Sequence, residues 1–176
     1  VLEVGPASGY LSFFMEDKGA AVTCIEPPMN YLWDTVPFAG HDLDAWRREF
    51  SIEIQRVRNS FWYMHHEKCS QVRLIETNPY AIPEEIGQFD IGLLASVLLH
   101  CRNPFDLIEN TARRVKNTMV ITEIWNPTLG EGPVCMLAPH QGAKQLHTWW
   151  HFTPQFFISA LGILGFAKAQ VTFHTQ

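Results

Sequence analysis

Several features that would place this chain in a class are missing. The four cysteines, Cys24, Cys69, Cys101 and Cys135, stand far apart and form no C-x-x-C pair. A disulfide-stapled secreted scaffold is thereby excluded; free thiols in a reducing cytosol, hence a cytoplasmic protein, are the simplest account. Basic residues are scarce: 13 Lys and Arg against 18 Asp and Glu give a net charge of −5, which argues against a general binder of nucleic acid or anionic membrane. No apolar run approaches the ~20 residues of a membrane span, and no signal peptide precedes Val1. There is no initiator methionine, and Val1 already lies in an apolar run, so residues are expected to be missing at the N-terminus. What is present is a globular composition, 47% hydrophobic and 12% aromatic over 176 residues, which suits a single domain with a proper core.

The most informative stretch is residues 1–9, Val1-Leu-Glu-Val-Gly-Pro-Ala-Ser-Gly9. It reads as a buried strand ending in a turn bracketed by Gly5 and Gly9, which supply unusual dihedrals and close backbone approach. Such a turn presents backbone N–H groups at a helix N-terminus, where a carboxylate or phosphate is stabilised. A second strand follows and ends in Cys24-Ile-Glu26. Glu26 is placed to accept hydrogen bonds from the cis hydroxyls of a ribose, the role of the acidic residue in dinucleotide folds. The glycine spacing is G-x-x-x-G, with Ala7 at the middle position, and not the G-x-G-x-x-G of a pyrophosphate site. No Tyr-x-x-x-Lys run is present either, which sets an NAD-dependent oxidoreductase aside.

Further along, hydrophobic periodicity predicts a helix over 9–18, a strand over 21–25 and a long helix from Asp42, with Asp42 as N-cap. Leu43, Trp46, Phe50, Ile54, Val57, Phe61 and Met64 recur every three or four residues in that helix, one apolar stripe nearly seven turns long, with Asn59-Ser60 as a place where it could break. Burial on the parent domain is expected for the stripe, with a coiled-coil homodimer through about 42–64 as the other reading. The whole segment 29–70 is too long for a plain connector and is read as a helical insertion whose first part, 33–40, is an ordered aromatic loop. Strands are predicted over 72–77, 89–95, 118–125 and 167–173, helices over 104–116 and 154–164, and a lid-like loop over 126–146. Alternating strands and helices give an α/β fold with a mostly parallel central sheet.

In order along the chain, Glu3-Val-Gly-Pro-Ala-Ser-Gly9, Cys24-Ile-Glu26, Glu76-Thr-Asn-Pro-Tyr-Ala-Ile-Pro83, Phe89-Asp90 and Leu94-Ala-Ser-Val-Leu-Leu-His100 resemble the motifs of class I S-adenosylmethionine-dependent methyltransferases. The 33–40 loop, Asn59-Ser-Phe-Trp-Tyr63 and Ile82-Pro-Glu-Glu-Ile-Gly87 look like an uncharacterised bacterial subgroup of that superfamily. The resemblance implies a Rossmann-like three-layer sandwich, S-adenosyl-L-methionine as cofactor and methyl transfer to a small-molecule acceptor. It implies that Glu3 meets the methionine ammonium, directly or through water, and that Gly5, Ala7 and Gly9 line the methionyl and ribose portions. Glu26 would hold the ribose hydroxyls, Asn78 would contact the adenine, Pro27 or Tyr80 would cover its ring, and Ala95 and Ser96 would lie beside the methionyl group. Ala7 for the usual glycine and Asn78 for the usual Asp are departures. The family's sheet ordinarily finishes with an antiparallel hairpin, so a domain truncated at both ends, with its final strand in question, is the expectation for residues 1–176.

His100 is the candidate general base for a hydroxyl acceptor, since imidazole titrates near neutrality; a histidine bonding loop backbone is the plainer reading. His147 and His151 bracket Trp149-Trp150. Four residues apart, they would share a helix face as metal ligands, but Pro154 makes a helix there doubtful, and an aromatic wall for the acceptor is preferred to a metal site. His65-His66 read as a solvated helix end, and Arg47, Arg48, Arg56 and Arg58 as an exposed, salt-bridged face. Two alternatives remain: a cofactor-binding or degenerate scaffold domain using the long helix as its interface, and a tRNA-modifying methyl or carboxymethyl transferase. The relatives of the latter type carry Tyr before the histidine, where this chain has Leu99.

Overall fold

The computed structural model describes residues 1–30, 34–142 and 145–174. Five strands, β1 (Leu2–Val4), β2 (Thr23–Glu26), β3 (Arg73–Glu76), β4 (Phe89–Ala95) and β5 (Val115–Thr122), form one sheet in the order β3-β2-β1-β4-β5. Every pairing in this sheet is parallel, and Val4 at the centre faces Ile25 on one side and Leu94 on the other. Between β1 and β4 the winding reverses. That switch point is where open α/β sheets place a ligand crevice, beyond the carboxyl ends of the strands.

Strand alternation divides the interior into two cores. Leu2, Val4, Ile25 and Leu94 point to one face and pack with Leu107 and Ile108 of α3 (Pro104–Ala112) and with Phe156 and Phe157 of α4 (Pro154–Ile163). Cys24, Val22 and Val72 point to the other face, beside Phe13 of α1 (Tyr10–Asp17) and Phe61 of α2 (Leu43–Glu67). The result is the expected Rossmann-like three-layer sandwich. The helix starts follow local chemistry: Asp42 accepts from the Ala45 N–H at 2.9 Å, and Asn103 and Thr153 cap α3 and α4, each followed by Pro at the first helical position.

The long helix runs unbroken through Asn59-Ser60, with Gln55 donating to Asn59 Oδ1 at 2.9 Å, and departs from expectation in two ways. Its apolar stripe is only partly covered: Phe61 is fully buried, whereas Val57 and Met64 are both 38% exposed. Finally, Arg58, expected on an exposed face, is buried. The physical reason is rotational. At 100° per residue, Val57 and Met64 flank Phe61 on one side and Arg58 and His65 on the other, and the domain meets the helix on the Arg58 side because two carboxylates wait there. His65 is correspondingly no solvated end: its Nε2 lies 2.9 Å from the Val72 carbonyl and its ring stacks on Phe61.

The segment 167–173 is not a strand. Its residues are exposed, so it has no face to bury, and Phe173 packs instead on Trp125, ring centroids 4.4 Å apart. The 126–146 loop is more ordered than a bare lid: β6 (Cys135–Leu137) pairs antiparallel with β7 (Trp150–Phe152). His151 is therefore on a strand and His147 in the turn before it, so they share no helix face. Of the 33–40 loop, Trp33 lies outside the described residues. Among the described residues no helix is long and apolar enough to cross a membrane.

Anchoring of α2 through one aromatic gives a direct test. Phe61→Ala is expected to cost ~3–5 kcal/mol, the range for truncating a buried Phe, and Val57→Ala within ~0.5 kcal/mol, the range for surface changes, by urea denaturation. Equal losses would show that the helix is held elsewhere.

Candidate functional site

The turn after β1 is built from left-handed backbone. Gly5, Ala7 and Gly9 have φ of 74°, 51° and 82°, and the Gly9 N–H closes on the Pro6 carbonyl at 2.8 Å. A Cβ at Gly9 would stand 2.7 Å from Phe61 and collide with Phe13 as well; one at Gly5 would stand 3.0 Å from Val97. The left-handed region costs an ordinary residue ~1–2 kcal/mol, so Ala7 is strained, as is Ser96 after β4 with φ 51°. Both lie at strand carboxyl ends beside the switch point. Such strain collects at ligand sites.

A narrow pocket of about 50 Å³ opens at the same place. Of the residues singled out from sequence, Gly5, Glu26, Pro27, Tyr80 and His100 line it, joined by Asp34 and Val97. Glu3, Ala7, Gly9, Asn78, Ala95 and Ser96 do not border this pocket. Glu3 is buried on the opposite side of β1, where Ser12 donates to its Oε2 at 2.5 Å and the Cys24 thiol lies 3.7 Å away; burial pushes its carboxyl up. Asn78 is exposed, its Oδ1 accepting from the Tyr80 N–H at 3.0 Å.

Glu26 is the most polarised member. It is buried, its Oε1 lies 3.5 Å from Arg58 Nη2, and its Oε2 has no hydrogen-bond partner among the described residues. Burial raises its carboxyl to about 7, against the opposing pull of Arg58. The same guanidinium donates to the Pro27 carbonyl at 2.8 Å and pairs with Glu76. An orphaned, buried acceptor on a pocket wall suits a ligand that brings hydroxyl donors.

His100 sits on a single 3-10 turn, Leu98–His100, whose N-terminus is held by Glu123: Oε1 accepts from Leu98 N–H at 2.8 Å. His100 Nδ1 lies 2.5 Å from the His147 carbonyl. A carbonyl only accepts, so Nδ1 carries the proton and Nε2 keeps its lone pair. Burial lowers the His100 pKa, which keeps the ring neutral at pH 7. His147 is itself stacked on Trp46 and Phe50 of α2, at 6.3 and 5.7 Å between centroids. Tyr80 is fixed by its O–H donating to Asp34, whose Oδ2 also takes the Arg102 N–H at 2.8 Å. The two tryptophans after His147 are tied to backbone, Trp149 Nε1 to Asp34 O and Trp150 Nε1 to Cys101 O at 2.8 Å, and neither borders the pocket. Among the described residues no three His, Cys, Asp or Glu side chains are grouped to hold a metal ion.

Sequence reasoning missed Asp34, Arg58 and Glu123. Glu123 had a usable signal, an acid just past the carboxyl end of a parallel strand. Arg58 had none, because its partners are distant in the chain.

No protein-family model matches the sequence, and no curated protein matches it. Solved structures do. Magnesium protoporphyrin IX methyltransferase (ChlM) from Synechocystis PCC 6803, with bound S-adenosylhomocysteine (SAH), is 12% identical at a TM-score of 0.61, covering 100% of this chain and 68% of that one. The N-terminal domain of EvdMO1 with SAH bound is 18% identical at a TM-score of 0.51, covering 95% and 64%. The [4+2]-cyclase SpnF is 14% identical at 0.57, covering 93% and 50%. The chain thus spans less than two thirds of the length of two of these. At such identities the likeness is one of fold: the chain has the Rossmann-like fold of the class I methyltransferases.

Proposed function

We propose that this chain binds S-adenosylmethionine and takes part in methyl transfer to a small-molecule acceptor. The observation that carries the reading is Glu26: a buried carboxylate whose Oε2 is unpartnered, at the carboxyl end of β2 and on the wall of the pocket beside Gly5. A ribose diol supplies the two donors this acceptor needs. The left-handed turn gives the close backbone approach for the ribose and methionyl portions, and Tyr80 and Pro27 offer apolar surface for the adenine ring. Ala7, Gly9, Ala95 and Ser96, at the carboxyl ends of β1 and β4 or just beyond them, would flank the methionyl group. Asn78 has its oxygen engaged, so its amide N–H₂ is the part free to face an adenine ring nitrogen. Glu3, tied to Ser12, supports the turn from behind.

That two of the fold neighbours carry SAH supports the same cofactor class here. A [4+2]-cyclase shares the fold, so the site, not the fold, has to carry the chemistry. The bound cofactor would supply an electrophilic methyl group on sulfonium. For the chain's own residues the work is positioning and exclusion of water, and for a hydroxyl acceptor also removal of a proton, for which neutral His100 presents Nε2. The acidic charge of the chain favours a small molecule over nucleic acid.

Calorimetric titration with SAH, and NAD as control, tests the reading: binding of SAH alone is expected, and binding of neither ligand would overturn it. Glu26→Ala should weaken SAH by ~1–3 kcal/mol, the range for hydrogen bonds to a charged group; unchanged affinity would put the ribose elsewhere. At saturating cofactor, His100→Ala should lower turnover of a hydroxyl acceptor by ~10²–10⁴-fold, the usual share of a general base. An unaffected rate would remove His100 from the reaction.

A further inference from the structure

Helix α2 delivers one guanidinium to the carboxyl ends of two neighbouring strands. Arg58 Nη2 donates to the Pro27 carbonyl at 2.8 Å, and Nη1 pairs with Glu76 at the end of β3. These two bonds fix the guanidinium without help from Glu26. Its distance to Glu26 Oε1 is 3.5 Å, long for a hydrogen bond, so Arg58 acts on Glu26 chiefly as a fixed positive charge. Burial keeps water from screening that charge.

We propose that Arg58 is a positioning residue for the cofactor site: from outside the ligand pocket it holds Glu26 ionised, with Oε1 toward the guanidinium and Oε2 toward the ribose. The inference rests on the reading of Glu26 as the ribose acid. Four groups face Glu26. Arg58 comes from α2, Glu76 from β3, Glu3 from β1, and Cys24 lies two residues back on its own strand. Arg58 is the cation of this set, and the two other carboxyls work against ionisation. With Arg58 removed, a buried carboxyl beside two others keeps its proton well above neutral pH. A protonated Glu26 has one donor and loses charge-assisted acceptance from the diol.

The sign follows. Ribose hydroxyls donate to the ionised form, so SAH affinity should rise with pH and level off above the pKa of Glu26, about 7 in the free protein. Losing Arg58 should move that midpoint upward. The measurement is SAH affinity of the whole chain between pH 5.5 and 9, by calorimetry, for the wild type, Arg58→Met and Arg58→Lys, with circular dichroism melts for each. For Arg58→Met the midpoint is expected to move up by about one pH unit or more, which weakens binding roughly fivefold at pH 7 and about tenfold well below the wild-type midpoint. Arg58→Lys should restore most of the midpoint. A folded Arg58→Met that binds more weakly but with the wild-type midpoint would overturn the proposal, since a purely architectural role lowers affinity equally at every pH. Should Arg58→Met fail to fold, Glu76→Gln carries the test: it should lower the midpoint, and an unmoved one overturns the inference. Absence of SAH binding by the wild type at every pH would instead sink the functional reading. Carboxyl NMR titration of Glu26 in the wild type and Arg58→Lys or Glu76→Gln then still decides whether these charges set its ionisation.

Discussion

The structure turns on a place where no side chain fits. Gly9 lies against Phe13 and Phe61 so closely that a Cβ would collide with both rings. That contact joins three things that would otherwise be independent: the left-handed turn that ends β1, the start of α1, and the landing point of α2. Phe61, the fully buried anchor of α2, sits there because Gly9 leaves room for it. One helical turn earlier is Arg58, so the aromatic contact also sets where the guanidinium falls. Backbone conformation in the glycine turn and charge at the end of β2 are thus parts of one packing arrangement.

The polar design of the crevice follows from its dryness. Burial raises both Glu26 and Glu123 to about 7, yet their surroundings differ. Glu123 satisfies backbone N–H groups of the turn that carries His100 and is complete as it stands. Glu26 is left one acceptor short. Asp34 resembles Glu123 in this respect, binding Tyr80 and the Arg102 N–H and so fixing the pocket wall. Two half-buried acids thus hold the frame, and the third, more deeply buried, is the one with unused capacity.

Much of the fold was legible in the sequence because it is written in local terms. Gly5 and Gly9 mark the turn, Asp42 marks a helix start, and the near-continuously apolar run of β4 ends where predicted, at Ala95. Of the residues singled out by motif, Glu26, Pro27, Tyr80 and His100 line one pocket, whereas Glu3, Asn78 and Ser96 do not border it. What could not be read was set by long-range pairing. The rotation of α2, and with it the burial of Arg58 and exposure of Val57, depends on carboxylates at the ends of β2 and β3, and periodicity alone does not choose which flank of a stripe faces inward. The β6-β7 hairpin was hidden because its strands are three residues each, too short for alternation to register. A strand was expected over 167–173 from β-prone residues, but strand propensity needs a neighbour to bury against, and this segment lacks one.

The separation between Arg58 and the residues it serves also bears on how the domain assembles. Pro27 and Arg58 are 31 residues apart, and the helix between them must form and dock before the guanidinium arrives. Until then the end of β2 remains open to water and Glu26 keeps the solvation of an ordinary carboxylate. Docking of α2 removes the water and supplies the cation in the same event. Burial of the Glu26 carboxylate and delivery of its cation are therefore one packing event.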